Sequence, residues 1–304
     1  MEGSLKLLNN ENCMYYANSA IGLAGGYSAY KYLPALIKNP YLNYCLNNCK
    51  QIPASEHSQY WSSAIDAFLK SPSFNTRVQI LDVNQNNWNA IADNLIQRKQ
   101  AAYSRLKKTS PVKAFLMKVL APNDEKIKRK IKSIALGQNA SFLPSTSQIF
   151  VNSEKMGITT FHEIGHSINQ NGKGFKKMLA KSRKITHIAL PAILGIGLLT
   201  PKREENDKYQ NQIGKAATFI KDHCGLLAGM SLMPVVLEEG TASINAAKLA
   251  KTVLDKSSCK KVNKVNLVAF GSYALVTLLT AACTALAIYI KDRVSGNAPV
   301  RDNN

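Results

Sequence analysis

The sequence predicts a mainly α-helical membrane protein, and three observations carry that expectation. Residues 265–290, VNLVAFGSYALVTLLTAACTALAIYI, contain no charge and are long enough to cross a bilayer as a helix. Two shorter apolar runs, ITHIALPAILGIGLLTP at 185–201 and HCGLLAGMSLMPVVL at 223–237, are joined by the polar stretch 202–222 and read as a transmembrane helical hairpin. Elsewhere, over 58–70 and 87–108, apolar residues recur at helical spacing.

In chain order, the start MEGSLKLLNNENCMYY has an acidic residue on each side of Lys6. It lacks the basic region and compact apolar core of a cleaved signal peptide. Residues 12–30, NCMYYANSAIGLAGGYSAY, are uncharged but mildly apolar, and fit a membrane anchor or a surface helix. NTRVQILD at 76–83 and SQIFVN at 147–152 have strand character. The second stands directly before a helix expected over 156–170, which Asn171-Gly172 would end. This divides the chain into a mostly helical N-terminal region (1–140), a region holding the hairpin (141–250) and a C-terminal transmembrane helix (265–290).

The 304 residues suffice for one large domain or two small ones. Lys plus Arg number 39 against 19 Asp plus Glu, a formal charge of +20. Such an excess favours an anionic partner, either nucleic acid or the anionic face of a membrane. The six cysteines include one C-x-x-x-C, Cys45 and Cys49, with no second pair. That is neither a disulfide framework nor a zinc ribbon; it suits buried thiols in a reducing compartment.

Chemistry is concentrated in TTFHEIGHSIN at 159–169, which contains H-E-x-x-H as His162, Glu163 and His166. On a helix, positions i and i+4 share a face, so both imidazoles can reach one metal. Glu163 can reach a water in the metal's open position and take its proton. A third ligand must come from elsewhere. SINQNGKGF, which follows His166, supplies no histidine. The best remaining candidate is LEEGTASINAAK at 237–248, whose Glu238-Glu239 pair is acidic in a basic, apolar region; of the two, Glu239 is preferred.

H-E-x-G-H, a hydrophobic hairpin and then E-x-x-A-[D/S] resemble the arrangement of integral-membrane gluzincin peptidases. These include the bacterial heat-shock membrane endopeptidases and the CAAX prenyl endopeptidases. The chain is also similar to the bacterial neutral zinc metallopeptidases, which carry a serine after the alanine. The matched part spans about residues 140–250. The resemblance implies a zincin-like HExxH active-site helix with a short β-edge. It implies one Zn2+ per chain held by His162, His166 and Glu239, with Glu163 as base. Many relatives place an aspartate four residues after the third ligand to orient the first histidine. Ser243 stands there instead, a weaker, neutral partner.

Charge tests the hairpin. Residues 98–132 hold twelve basic and two acidic residues, 167–184 six and none, and 244–264 six and one. Residues 202–222 hold five and four, and 291–304 three and two. Two crossings between His166 and Glu239 put the three strongly basic segments on one side, which the positive-inside rule makes cytoplasmic. The expectation is therefore a multi-pass membrane zinc endopeptidase, its active site at the cytoplasmic membrane surface. Its partners would be a peptide or membrane-protein substrate and anionic lipid. Tyr209, His187 and His223 are conceivable oxyanion donors, and strand 147–152 could offer its edge to substrate. One rival is a non-catalytic basic membrane protein with a structural or relic metal site. Nucleic acid is not an expected partner, because no binding motif stands out and 98–132 has few aromatic residues to stack on bases.

Overall fold

The computed structural model describes residues 14–28, 32, 47, 52–71, 78–202 and 211–296. A helix over residues 14–28, α1, is followed by α2 (Ala54–Lys70), β1 (Gln79–Asp82), α3 (Trp88–Thr109), α4 (Pro111–Leu120) and α5 (Asp124–Ala135). Then come β2 (Ser141–Leu143), β3 (Gln148–Val151), the single turn α6 (Ser153–Met156), a 3-10 turn at Gly157–Thr159, and α7 (Thr160–Asn171). The chain continues through α8 (Phe175–Leu199), α9 (Gln212–Asp222), α10 (Cys224–Val253) and α11 (Lys256–Ser295). The protein is thus mainly helical with one small sheet.

Two compact units divide the chain: Cys45–Lys177 with Gly240–Ala269, and Met1–Tyr44 with Met178–Glu239 and Phe270–Asn304. In the first, the sheet order is β1-β3-β2, with β1 parallel and β2 antiparallel to β3. The parallel pairing of Gln79–Asp82 with Gln148–Val151 requires the crossover that α3–α5 supply. Every residue of β3 is buried, as a central strand covered on both faces demands. Successive side chains leave a strand on opposite faces. Ile149 accordingly joins Tyr60, Phe68, Phe161 and Ile164 in one core cluster, while Phe150 joins Val83, Ala92, Ile131 and Ile134 in another. Short polar caps start the connecting helices. Asn123 Oδ1 accepts the Lys126 N–H at 2.9 Å ahead of α5, and Asn152 Oδ1 accepts the Lys155 N–H at 2.9 Å ahead of α6.

The second unit is helical. Gly22 and Gly26 on α1, one turn apart, meet α11 closely: an added Cβ would lie 2.8 Å from the Lys291 carbonyl oxygen and 2.6 Å from that of Ala287. On α10, Gly225 repeats the arrangement, 2.9 Å from the Ala281 carbonyl oxygen. Small residues four apart on a helix let a neighbouring backbone come close. Thr186 on α8 donates to the Ser231 carbonyl on α10 at 2.8 Å. Leu194, Leu198, Cys224 and Ile288 make a small apolar core. Charge returns at the end of α11, where Lys291 and Lys221 both reach Asp292, at 2.5 and 3.1 Å.

Among the described residues, α11 alone is by itself long and apolar enough to cross a membrane. The expected hairpin runs lie in α8 and α10. The apolar part of α8, Ile188–Leu199, is shorter, and α10 meets the same criterion together with α9, from which it is bent by 76°. The strand expected over 76–83 forms from Gln79, and residues 76–77 lie outside the described ones. The helix expected over 156–170 starts later, at Thr160, because α6 and the 3-10 turn take up the chain before it.

Glu56 on α2 accepts from Lys261 on α11 at 2.6 Å, and that hydrogen bond holds its carboxyl below the usual carboxylate value. A depressed carboxyl stabilises the fold above its ordinary pKa and ceases to do so as pH falls through the lowered value. Thermal unfolding of Glu56→Gln against wild type should show a small destabilisation at neutral pH that vanishes in acid.

Candidate metal centre

Helix α7 is unusual in being buried on nearly all sides: Thr160, Phe161, His162, Glu163, Ile164, Gly165, His166, Ser167 and Asn169 are all inside. A helix hidden all round must find partners for its polar side chains. It approaches α10 at Gly165, where an added Cβ would sit 2.1 Å from the Ala242 carbonyl oxygen. Only hydrogen fits there. A buried polar network beside this crossing fixes the register. Asn169 donates to Thr241 at 2.9 Å, and Asn245 donates to Asn169 at 2.9 Å. Lys176 reaches Asn245 at 3.4 Å.

This crossing brings the sequence-predicted residues together. The His162 and His166 rings stand edge to face with centroids 4.7 Å apart, as i, i+4 spacing requires. One ligand atom from each of His162, His166 and Glu239 lies within 4.8 Å of the others, and all three residues are buried. Ser243, one turn beyond Glu239, places its Oγ 3.4 Å from His162 Nδ1. Glu163 is also buried, and its Oε2 accepts the Phe142 N–H of β2 at 2.5 Å. That bond anchors one carboxylate oxygen of Glu163 to β2.

Glu238, the alternative third ligand, is absent from the cluster. It accepts from Arg183 Nη1 at 2.7 Å, while Arg183 Nη2 donates to Glu239 at 2.9 Å. Two imidazoles and a carboxylate so grouped form a donor set suited to a divalent transition metal. The group is buried and can hold a metal ion.

Strand β3, expected to offer its edge, lies in the centre of the sheet between β1 and β2. The edge next to Glu163 belongs instead to β2, whose three residues close a tight hairpin around Pro144 and Ser147, the latter at φ 52°. The cluster Pro-Ser-Thr-Ser was a turn signal that could have exposed this strand. Tyr209 and the His187 side chain lie outside the described residues. His223 is exposed, with its Nδ1 3.0 Å from the Phe219 carbonyl oxygen. Arg183, Phe142 and the Asn169–Asn245 pair carried no motif, because their roles arise only through partners distant in sequence.

No family model, curated protein or solved structure matches the chain.

Gly165→Ala should force α7 and α10 apart. Overpacking of this kind costs about 1–3 kcal/mol. Metal content and the thermal midpoint of the purified variant should both fall.

Proposed function

We propose that the protein is a membrane-embedded zinc endopeptidase acting at the cytoplasmic membrane surface, similar to integral-membrane gluzincins. The observation that carries this is the buried His162/His166/Glu239 cluster with the Glu163 carboxylate one residue from its first histidine. Bound zinc would supply Lewis acidity, polarising the scissile carbonyl and lowering the pKa of the attacking water towards neutrality. Glu163 accepts that water's proton and then delivers it to the leaving amine. The Phe142 N–H keeps the carboxylate facing the site while the proton moves. Ser243 orients the His162 ring through Nδ1. Phe142 directs its amide away from β3, and in an antiparallel strand its carbonyl shares that side. With the Phe142 N–H taken by Glu163, an extended substrate backbone donates to the Phe142 carbonyl on this outward edge of β2.

The membrane assignment rests on α11 and on exposed apolar side chains along α8, α10 and α11, among them Ile188, Leu199, Leu226, Met230, Leu267 and Leu278. The apolar parts of α8 and α10 cross as a pair, returning Glu239 to the side of His166. The three basic segments then face the cytoplasm. Helix α4 supports anionic lipid as a partner: Val112 and Phe115 are 71% and 65% exposed, and α4 and its approach carry Lys107, Lys108, Lys113 and Lys118.

Purified protein should hold about one zinc per chain, lost in His162→Ala. Glu163→Gln should keep zinc and lose proteolysis of casein or of itself by roughly 10²–10⁴-fold, the usual contribution of a general base. Zinc bound by a wild-type protein that cleaves nothing would favour a structural metal site instead. In a variant without the native cysteines, single cysteines at the exposed positions 173 and 248 should label from the same membrane face; labelling from opposite faces would exclude the paired crossing.

A further inference from the structure

Glu238 is left without a task by the metal cluster, yet it is as deeply buried as the ligand beside it. Glu238 and Glu239 side chains are 2% and 1% exposed, while the Arg183 side chain that bridges them is 36% exposed. Two adjacent carboxylates cannot both stay charged out of water without a cation. Arg183 reaches across from α8 and divides its guanidinium between them, Nη1 to Glu238 Oε2 at 2.7 Å and Nη2 to Glu239 Oε1 at 2.9 Å. A planar fork suits such two-pronged binding, and a lysine does not reproduce it.

The charges explain why two glutamates are needed. One guanidinium held by Glu239 alone would cancel the negative charge that makes Glu239 a metal ligand. With Glu238 present, the guanidinium is shared between two carboxylates rather than spent on Glu239 alone. The arginine can then fix the orientation of Glu239 while its charge is balanced by the neighbour. Ligating carboxylates are commonly held by such hydrogen bonds through the oxygen not given to the metal.

We infer that Arg183 and Glu238 form a positioning pair that orients Glu239 towards the metal and preserves its charge. This rests on the metal-site reading above. Arg183 touches no reacting atom in this scheme and acts only through Glu239.

The test is zinc affinity of the full-length protein in detergent, measured by competition with a chelator, alongside the metal-free unfolding midpoint and the visible spectrum of the cobalt-loaded protein. Arg183→Gln should bind zinc about 10–100-fold more weakly, the usual cost of removing a group that orients a metal ligand, with an altered cobalt band intensity. Glu238→Gln should also weaken binding, because the arginine charge then falls on Glu239 alone. The double variant should bind about as weakly as Arg183→Gln, since Glu238 acts on Glu239 only through the arginine. Arg183→Lys keeps the charge but not the fork, and should lie between wild type and Arg183→Gln; it serves if the glutamine variant does not fold. Wild-type zinc affinity in Arg183→Gln or Arg183→Lys would overturn the proposal, as would losses in the two single variants that simply add in the double variant. A wild-type protein that binds no zinc would instead overturn the reading beneath it.

Discussion

The candidate site depends on one close approach. Gly165 lies against the Ala242 carbonyl with no room for a methyl group, so the backbones of α7 and α10 meet almost directly. Helix axes normally stand 8–10 Å apart according to the side chains between them. Removing the side chain at the crossing lets imidazoles from one helix and a carboxylate from the other reach a common point. With a larger residue at 165, the same ligands would face each other across too wide a gap.

Burial of so polar a helix makes each missing hydrogen bond costly, and among the described residues of α7 the Thr160 hydroxyl is buried without one. An orphaned buried donor or acceptor costs about 1–3 kcal/mol, and α7 presents several. Asn169 is answered by Thr241 and Asn245, Glu163 by the Phe142 amide, and His162 by Ser243. Each answer also constrains a distance the site needs. The network that prevents instability is therefore the one that fixes geometry, and the two functions cannot be altered separately at Asn169 or Phe142.

The helical unit solves a different problem by the same device. Small residues at a crossing let helix backbones approach closely, and side-chain hydrogen bonds add to that contact. Gly22, Gly26 and Gly225 provide the contact along α11, and Thr186 the hydrogen bond between α8 and α10. The glycines of residues 12–30 look like weakness when hydropathy alone is counted. Against α11 they are the packing surface.

The sequence by itself determined what is local. Helical spacing put His162 and His166 on one face, the uncharged run 265–290 marked the long helix α11, and the apolar IFV of 149–151 marked a buried strand. These follow from periodicity, because neighbours along a chain meet in a way set by helix or strand geometry alone. The tertiary structure decided what joins distant segments. It put β3 in the centre of the sheet and β2 at the edge, gave Glu163 its amide partner, and turned Glu238 to Arg183 while Glu239 joined the histidines. Adjacent carboxylates on a helix differ by about 100° in direction, and only the position of the other helices settles which one faces the site.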